Sequence, residues 1–192
     1  MKRLLFLSIT ALTLIGCGGG ADPKDYVPYD APAISAAQKQ EFLDAVNDAR
    51  AVGRTCGKYG YMDAVPPLKW DDRLYRAAYE HSNDIAINGY TAHTGSGKKE
   101  DWTAQVLDLN RGSTAKERIL NNGLNLSGSS YAYGENVSAG RNTTEEVVRD
   151  WLQSEGHCKN IMEPRFKMLG MAYVENDESQ WKIYWTQTLG AE

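Results

Sequence analysis

The closing stretch of this 192-residue chain limits its fold more than any other part. Two strand-like runs, MLGMAYVEN (168–176) and QWKIYWTQTL (180–189), are joined by the polar turn Asp177-Glu178-Ser179. So short a connection permits only an antiparallel pair. Residues 182–188 alternate in polarity, which predicts a half-buried strand. Ahead of this pair lie four helix signals. SAAQKQEFLDAVNDARA (35–51) opens with Ser35 and Gln38 in capping-box positions, repeats Phe42, Val46 and Ala49 on one face, and stops at Gly53. DDRLYRAAYEHSNDIAING (71–89) carries the stripe Leu74, Ala77, Ala78, His81 and Ile85 and ends at Gly89. STAKERILNNG (113–123) has Thr114 and Glu117 as a capping box and Gly123 at its stop. TTEEVVRDWLQSEG (143–156) is capped by Thr143 with Glu146 and packs Val147, Val148, Trp151 and Leu152. A short strand-like run surrounds Val137. Helices interspersed with a terminal antiparallel pair predict a layered α+β domain and not a parallel βαβ fold.

The amino terminus speaks to compartment. Lys2 and Arg3 precede an apolar run from Leu4 to Ile15, too short to span a bilayer, which is the layout of a secretory signal. Its end, Leu14-Ile15-Gly16-Cys17, resembles a bacterial lipobox, and the resemblance implies cleavage before Cys17 and lipid on its sulfur. The alternatives are a plain signal peptide with an incidental cysteine, or a short uncleaved anchor. GGGADPKDYVPYDAPA (18–33) is rich in Gly and Pro without an apolar period, as expected of a flexible tether. The expected organisation is therefore signal peptide 1–16, lipidated Cys17 and tether 17–34, and one folded domain 35–192. Gly18 offers no acidic retention signal, which points to the outer membrane where the cell has one. A net charge of −4 supplies no basic footprint for nucleic acid. With Cys17 lipidated, Cys56 and Cys158 are left, and distant cysteines in an oxidising compartment most often pair. That bridge would tie the loop holding His157 to the end of the first helix.

Nucleophile-elbow, H-E-x-x-H, paired C-x-x-C and P-loop signatures are all missing from the sequence. What is left is a sparse set of ionisable residues beside glycines: His93, Glu135 in YGENV, and His157 in EGH. Two imidazoles and a carboxylate suit Zn²⁺ or a similar divalent ion with an open position. Spacing alone does not bring them together, and as surface or hydrogen-bonding loop residues they would need no shared site. His81, on an apolar stripe, is expected to be a hydrogen-bonded core histidine.

GENV (134–137), the helix EEVVRDWLQS (145–154), GHCKNIM (156–162) and YWTQ (184–187) follow in an order that resembles the CAP superfamily. This group, also called the SCP domain, includes cysteine-rich secretory, antigen-five and pathogenesis-related proteins. LKWDDRLYRAAYEHSNDIA (68–86) and HCKNIMEPRFKMLGMAYV (157–174) are similar to its bacterial branch, and the likeness runs from about Ser35 to Gly190. The resemblance implies an α-β-α sandwich with a small antiparallel sheet between helical layers. It also implies a cleft of two His and two Glu, in which His93, Glu135 and His157 match. The second Glu should stand three residues after Trp151, where this chain has Ser154; Glu155 is one helical step away, rotated by about 100°. Asn136 and Asn160 are expected beside the same cleft.

These observations lead to an exported, lipid-anchored CAP-domain protein. Its expected role is an envelope binding module, attached to the membrane through Cys17, whose His/Glu cleft can hold a divalent metal (Zn or Mg). Its envelope ligand is left open. Two other expectations follow from the family: a metal-assisted hydrolase of peptide or cell-wall material, for which Ser154, His157 and Glu135 form a set on paper, and a carrier of small apolar ligands.

Overall fold

A computed structural model describes residues 26–126 and 131–192, so the expected signal peptide and Cys17 lie outside the described residues. The four helices form where the caps place them. Ser35 Oγ accepts from the Gln38 amide and starts α1, Ala36–Arg50. Asp71 caps α2, Asp72–Asn88, which ends on Gly89 in the left-handed conformation (φ 68°) that a residue without Cβ adopts at no steric cost. A reciprocal Thr114–Glu117 box starts α4, Ala115–Asn121, and Thr143 starts α5, Thr144–Gln153. Two short helices were not expected: α3, Trp102–Val106, and α6, Glu155–Ile161. At one to two turns each, they are too short to display a 3.6-residue period.

The central sheet runs in the order β3-β5-β6-β4, with β3 at Lys69–Trp70, β4 at Ala132–Ala139, β5 at Met168–Glu175 and β6 at Ile183–Ala191. The terminal pair is antiparallel as predicted, with Tyr173 opposite Trp185, and β4 lies antiparallel to the far side of β6. The two-residue β3 pairs parallel to β5, so the sheet is mixed at that edge. A separate small hairpin joins β1, Arg54–Thr55, to β2, Tyr61–Met62. The half-buried strand expected at 182–188 is corrected: every residue of β6 is buried. It is a central strand, and its polar positions Thr186, Gln187 and Thr188 produce the alternation while facing helices instead of water.

Helices cover both faces of the sheet. On one, Phe42 and Val46 of α1, Val147 and Trp151 of α5 and Ile161 of α6 pack on Leu169, Met171, Trp185 and Leu189. On the other, α2 crosses so closely that a Cβ on Gly170 would lie 2.1 Å from the Leu74–Tyr75 backbone. Ser82 of α2 donates to Thr186 Oγ1 at 2.9 Å on this side, and Leu74 packs with Ile119 of α4. Cys56 and Cys158 form the expected disulfide, Cα to Cα 5.4 Å, joining positions 102 apart. A closed loop of that length corresponds to about 4–5 kcal/mol in the chain-entropy model. Residues 26–34, expected to belong to the flexible tether, lie along α2, α3 and α4: the amides of Val27 and Tyr29 donate to the side chains of Asn121 and Asn122.

Candidate functional site

Strand β4 carries the carboxylate at the bottom of the site. Glu135 is 6% exposed and stands opposite Thr188 on the face covered by α2. Both of its oxygens are engaged. Arg118 of α4, itself buried, donates Nη2 to Oε2 at 2.8 Å, and His93 donates Nδ1 to Oε1 at 3.1 Å. Arg118 also donates to the His93 carbonyl at 2.8 Å and to the Ser113 carbonyl and hydroxyl, both at 2.9 Å. His81 stands 3.9 Å from Glu135 Oε1 and donates Nε2 to the Ala92 carbonyl at 2.7 Å. The backbone at Ala92–His93 is thus gripped from two sides.

The rest of that loop is tied down by two more buried carboxylates. Asp84 accepts from the Ser96 amide (2.7 Å), the Tyr90 hydroxyl (2.6 Å) and Asn88 Nδ2 (2.9 Å). Asp101 accepts from the Gly97 amide (3.0 Å), the Ser113 amide (2.8 Å) and the Ser113 hydroxyl (2.6 Å). Beyond the ring of Tyr90, which packs beside Ile85, Ala86 and Tyr184, this loop is held by hydrogen bonds to buried acceptors, which are costly to leave unpaired.

His157 arrives from the opposite face of the sheet. It sits on α6, not in a loop as expected from the glycine before it, and is half-buried beside the disulfide at Cys158. Its carbonyl accepts from Asn136 Nδ2 at 3.3 Å. Asn136 also donates to Gln187 Oε1 at 2.7 Å, while Asn160 donates to Asn136 Oδ1 at 2.9 Å and to the Glu135 carbonyl at 3.1 Å. Asn136 and Asn160 therefore stitch α6 to β4 beneath the cleft. The result is that His93 and His157 face each other, ring centroids 6.3 Å apart and planes at 71°.

Charge divides the two rings. Burial raises the carboxyl of Glu135, but the charge of Arg118 and the hydrogen bonds from His93 and Arg118 outweigh it, holding Glu135 well below the usual carboxylate range. The hydrogen bond to Glu135 in turn raises His93 above an ordinary imidazole. His157 is lowered, first by burial and then by the charge of His93. Burial and Arg118 lower His81 to about 4, so it is neutral. The cleft presents one imidazole biased towards the cation and one held neutral.

The expected metal ligands fit this site poorly. Among the described residues no three His, Cys, Asp or Glu side chains are gathered so as to hold a metal ion. Glu135 is already neutralised by a buried guanidinium, so a dication would gain little from it. Ser154 stands at the junction of α5 and α6, where its side chain caps neither helix. Glu155 turns to the disulfide loop, accepting from the Lys58 amide at 3.2 Å, and is no substitute for the missing carboxylate. The serine set does not assemble either, because Glu135 orients His93 and not His157.

Arg118 was missed in the sequence because one arginine on a short capped helix resembles any solvated residue. Two signals did exist: a histidine on the apolar stripe of α2, and polar residues inside the most buried strand. Both point to a buried polar partner.

Comparison with known proteins agrees with this architecture. The model of the CAP, cysteine-rich secretory protein family matches residues 43–189. The uncharacterized protein YkwD of Bacillus subtilis (strain 168) is 48% identical over 158 residues, covering 82% of this chain and 48% of that protein. The uncharacterized membrane protein YlbC of the same organism is 23% identical, covering 77% and 36%. The chain thus spans about half or less of the length of these relatives. An extracellular SCP-domain protein from Bacillus anthracis shares the fold with TM-score 0.55 and 20% identity, over 84% of this chain and 45% of that one. An outer surface protein of Borrelia burgdorferi does so with TM-score 0.56 and 18% identity, over 83% and 96%. With the family model matched along most of its length, the chain belongs to the CAP, or cysteine-rich secretory protein, family.

Proposed function

We propose that this protein is an exported, envelope-anchored binding module that takes a polar ligand between His93 and His157. The observation that carries the reading is the facing pair of unlike imidazoles, 6.3 Å between centroids, over a carboxylate already neutralised by Arg118. A cationic ring donates from its outer nitrogen, and a neutral ring offers an acceptor or a donor according to its tautomer. A ligand with a donor and an acceptor close together, such as a peptide group or vicinal sugar hydroxyls, satisfies both. Export and anchoring rest on the leader, on Cys17, and on the disulfide, a bond that persists in oxidising compartments.

The test is an NMR titration of the full chain with peptidoglycan fragments and with short peptides, following the side-chain nitrogens of His93 and His157. Joint shifts with one of these probes, lost in His93→Ala and in His157→Ala, are expected. Rings that ignore both probes, or shifts that survive both substitutions, would contradict the cleft as the binding site. Anchoring is tested separately: Cys17→Ser should move the protein from the membrane fraction to the soluble one.

A further inference from the structure

The segment before α1 is bound by the domain as a peptide is bound by a receptor. Residues 26–34 (Tyr-Val-Pro-Tyr-Asp-Ala-Pro-Ala-Ile) adopt no helix or strand, yet their main chain takes five hydrogen bonds from four side chains on three helices. Asn121 clamps Val27 at both ends, accepting from its amide at 3.0 Å and donating to its carbonyl at 2.9 Å. Trp102 Nε1 donates to the same carbonyl at 2.9 Å. Asn122 Oδ1 accepts from the Tyr29 amide at 2.9 Å, and the Tyr75 hydroxyl donates to the Pro32 carbonyl at 2.9 Å. Tyr29 stacks on Tyr79 with centroids 6.1 Å apart and meets Trp102 edge-on at 6.4 Å, and Ala31 and Ile34 pack beside Tyr75, Ala78 and Ala172.

The two sides of this contact differ in kind. Asn121 and Asn122 are fully buried and held from behind, Asn121 by Thr103 and Asn122 by Glu80. Their side-chain oxygens accept from no other donor among the described residues. The segment itself stays largely in solvent, with Val27 46% exposed, and it walls three concavities without filling them. A buried reader whose polar groups meet the main chain of a largely exposed, proline-containing segment is how extended segments are recognised through their main chain.

We propose that α2, α3 and α4 form a peptide-docking groove whose occupant is this chain's own Tyr26–Pro32, held in cis. Where the chain is anchored as proposed above, docking fixes the place of Tyr26 on the domain and with it which side of the domain faces the membrane. The groove does not itself depend on anchoring. Its hydrogen bonds are made to the main chain, so the carboxamide pair accepts any extended segment, and Tyr29 supplies the selectivity.

Hydrogen exchange at the amides of Val27 and Tyr29 in the full chain tests this, with Pro28→Gly/Tyr29→Ala as a variant confined to the segment and Trp102→Phe as one that removes a single donor. Protection in the wild type, reduced about tenfold or more in the segment variant and less in Trp102→Phe, is expected. A synthetic Tyr26–Ala33 peptide should bind the segment variant and not the wild type. Unchanged protection of α2 and β6 amides shows that the variants fold. Wild-type amides exchanging as fast as in the variant, or a peptide that binds neither protein, would overturn the groove. Protection lost on dilution together with a dimer in sedimentation would overturn the cis assignment. Neither result depends on Cys17, and retention of Cys17→Ser on membranes would leave the groove untouched.

Discussion

The two faces of the central sheet are built by opposite means. Beneath α1, α5 and α6 the contacts are apolar, from Phe42, Val46, Trp151, Ile161 and Met162 to Leu169 and Trp185, and the disulfide closes the layer. Beneath α2 and α4 the buried positions include Glu80, His81, Asp84, Arg118, Asn121 and Asn122 around Glu135. Each face supplies one imidazole to the cleft. His157 is placed by packing, the disulfide and the neutral carboxamides of Asn136 and Asn160, whereas His93 is placed by Arg118, Glu135 and His81 through its ring and the Ala92–His93 backbone. The difference teaches that the cleft has a wall whose position depends on charge and one whose position does not.

The sharpest way to break the comparison is to remove the cation from the polar face. Arg118→Met leaves the buried Glu135 carboxylate without its guanidinium and with His93 as its one remaining hydrogen-bond donor, and we expect a loss of about 3–5 kcal/mol. In a domain of this size that is a melting temperature lower by roughly 10 °C. Adding Glu135→Leu to Arg118→Met should recover much of it, because an apolar pair avoids the desolvation cost. A single variant as stable as wild type in calorimetry would show that the pair is not buried in solution.

On the other face, Cys56→Ser/Cys158→Ser should cost about 2–5 kcal/mol. The penalty should be nearly the same at pH 5 and pH 7, since the buried residues packed with Cys56 and Cys158 are apolar; denaturant unfolding at both values checks this. A penalty that changes with pH would mean that the two faces are coupled through α6.

A smaller effect concerns Glu80 and His81, neighbours whose shifts oppose each other. Burial raises Glu80 to about 7 from 4.5, so its contribution is full below pH 4.5 and is lost as pH rises through 7. His81, lowered to about 4 from 6.5, contributes fully above pH 6.5 and loses its contribution as pH falls towards 4. Over the shared window the two cancel in large part, and the wild type should unfold with little pH dependence between pH 4.5 and 6.5. Glu80→Gln should then gain stability with rising pH, and His81→Gln should lose it, by about 1 kcal/mol or more across the window. Two variants with the same slope would contradict the assignment.

The smallest expected effect is that of metal. Added Zn²⁺ or EDTA should leave the melting temperature within about 1 °C, because only two imidazoles are free to bind. A larger rise with Zn²⁺ that disappears in His93→Ala would restore the cleft as a metal centre.

The apolar face was largely legible in the sequence. Phe42, Val46, Ala49, Val147, Val148 and Trp151 fall on helical periods, Ser35 and Thr143 mark the starts, and Cys56 with Cys158 gave the crosslink. The polar face was not. Periodicity detects where apolar residues repeat, and Glu80, Asp84, Asp101 and Arg118 look like solvated positions until three separate segments are brought onto β4. The three candidates His93, Glu135 and His157 stand out as ionisable residues beside glycines, the family resemblance assigns them to one cleft, and the structure brings them together. The resemblance did not reveal that Glu135 answers to Arg118, which changes what the site can hold. Short helices such as α6 escaped for lack of length, and that is why His157 was expected in a loop.

The account rests on the two imidazoles being unlike, and a pH titration of their ring nitrogens by NMR in the full chain tests it directly. His93 should titrate above the ordinary value of 6.5 and His157 below it, with His93 falling back in Glu135→Gln. Two rings that titrate together, or a His93 indifferent to Glu135→Gln, would contradict it.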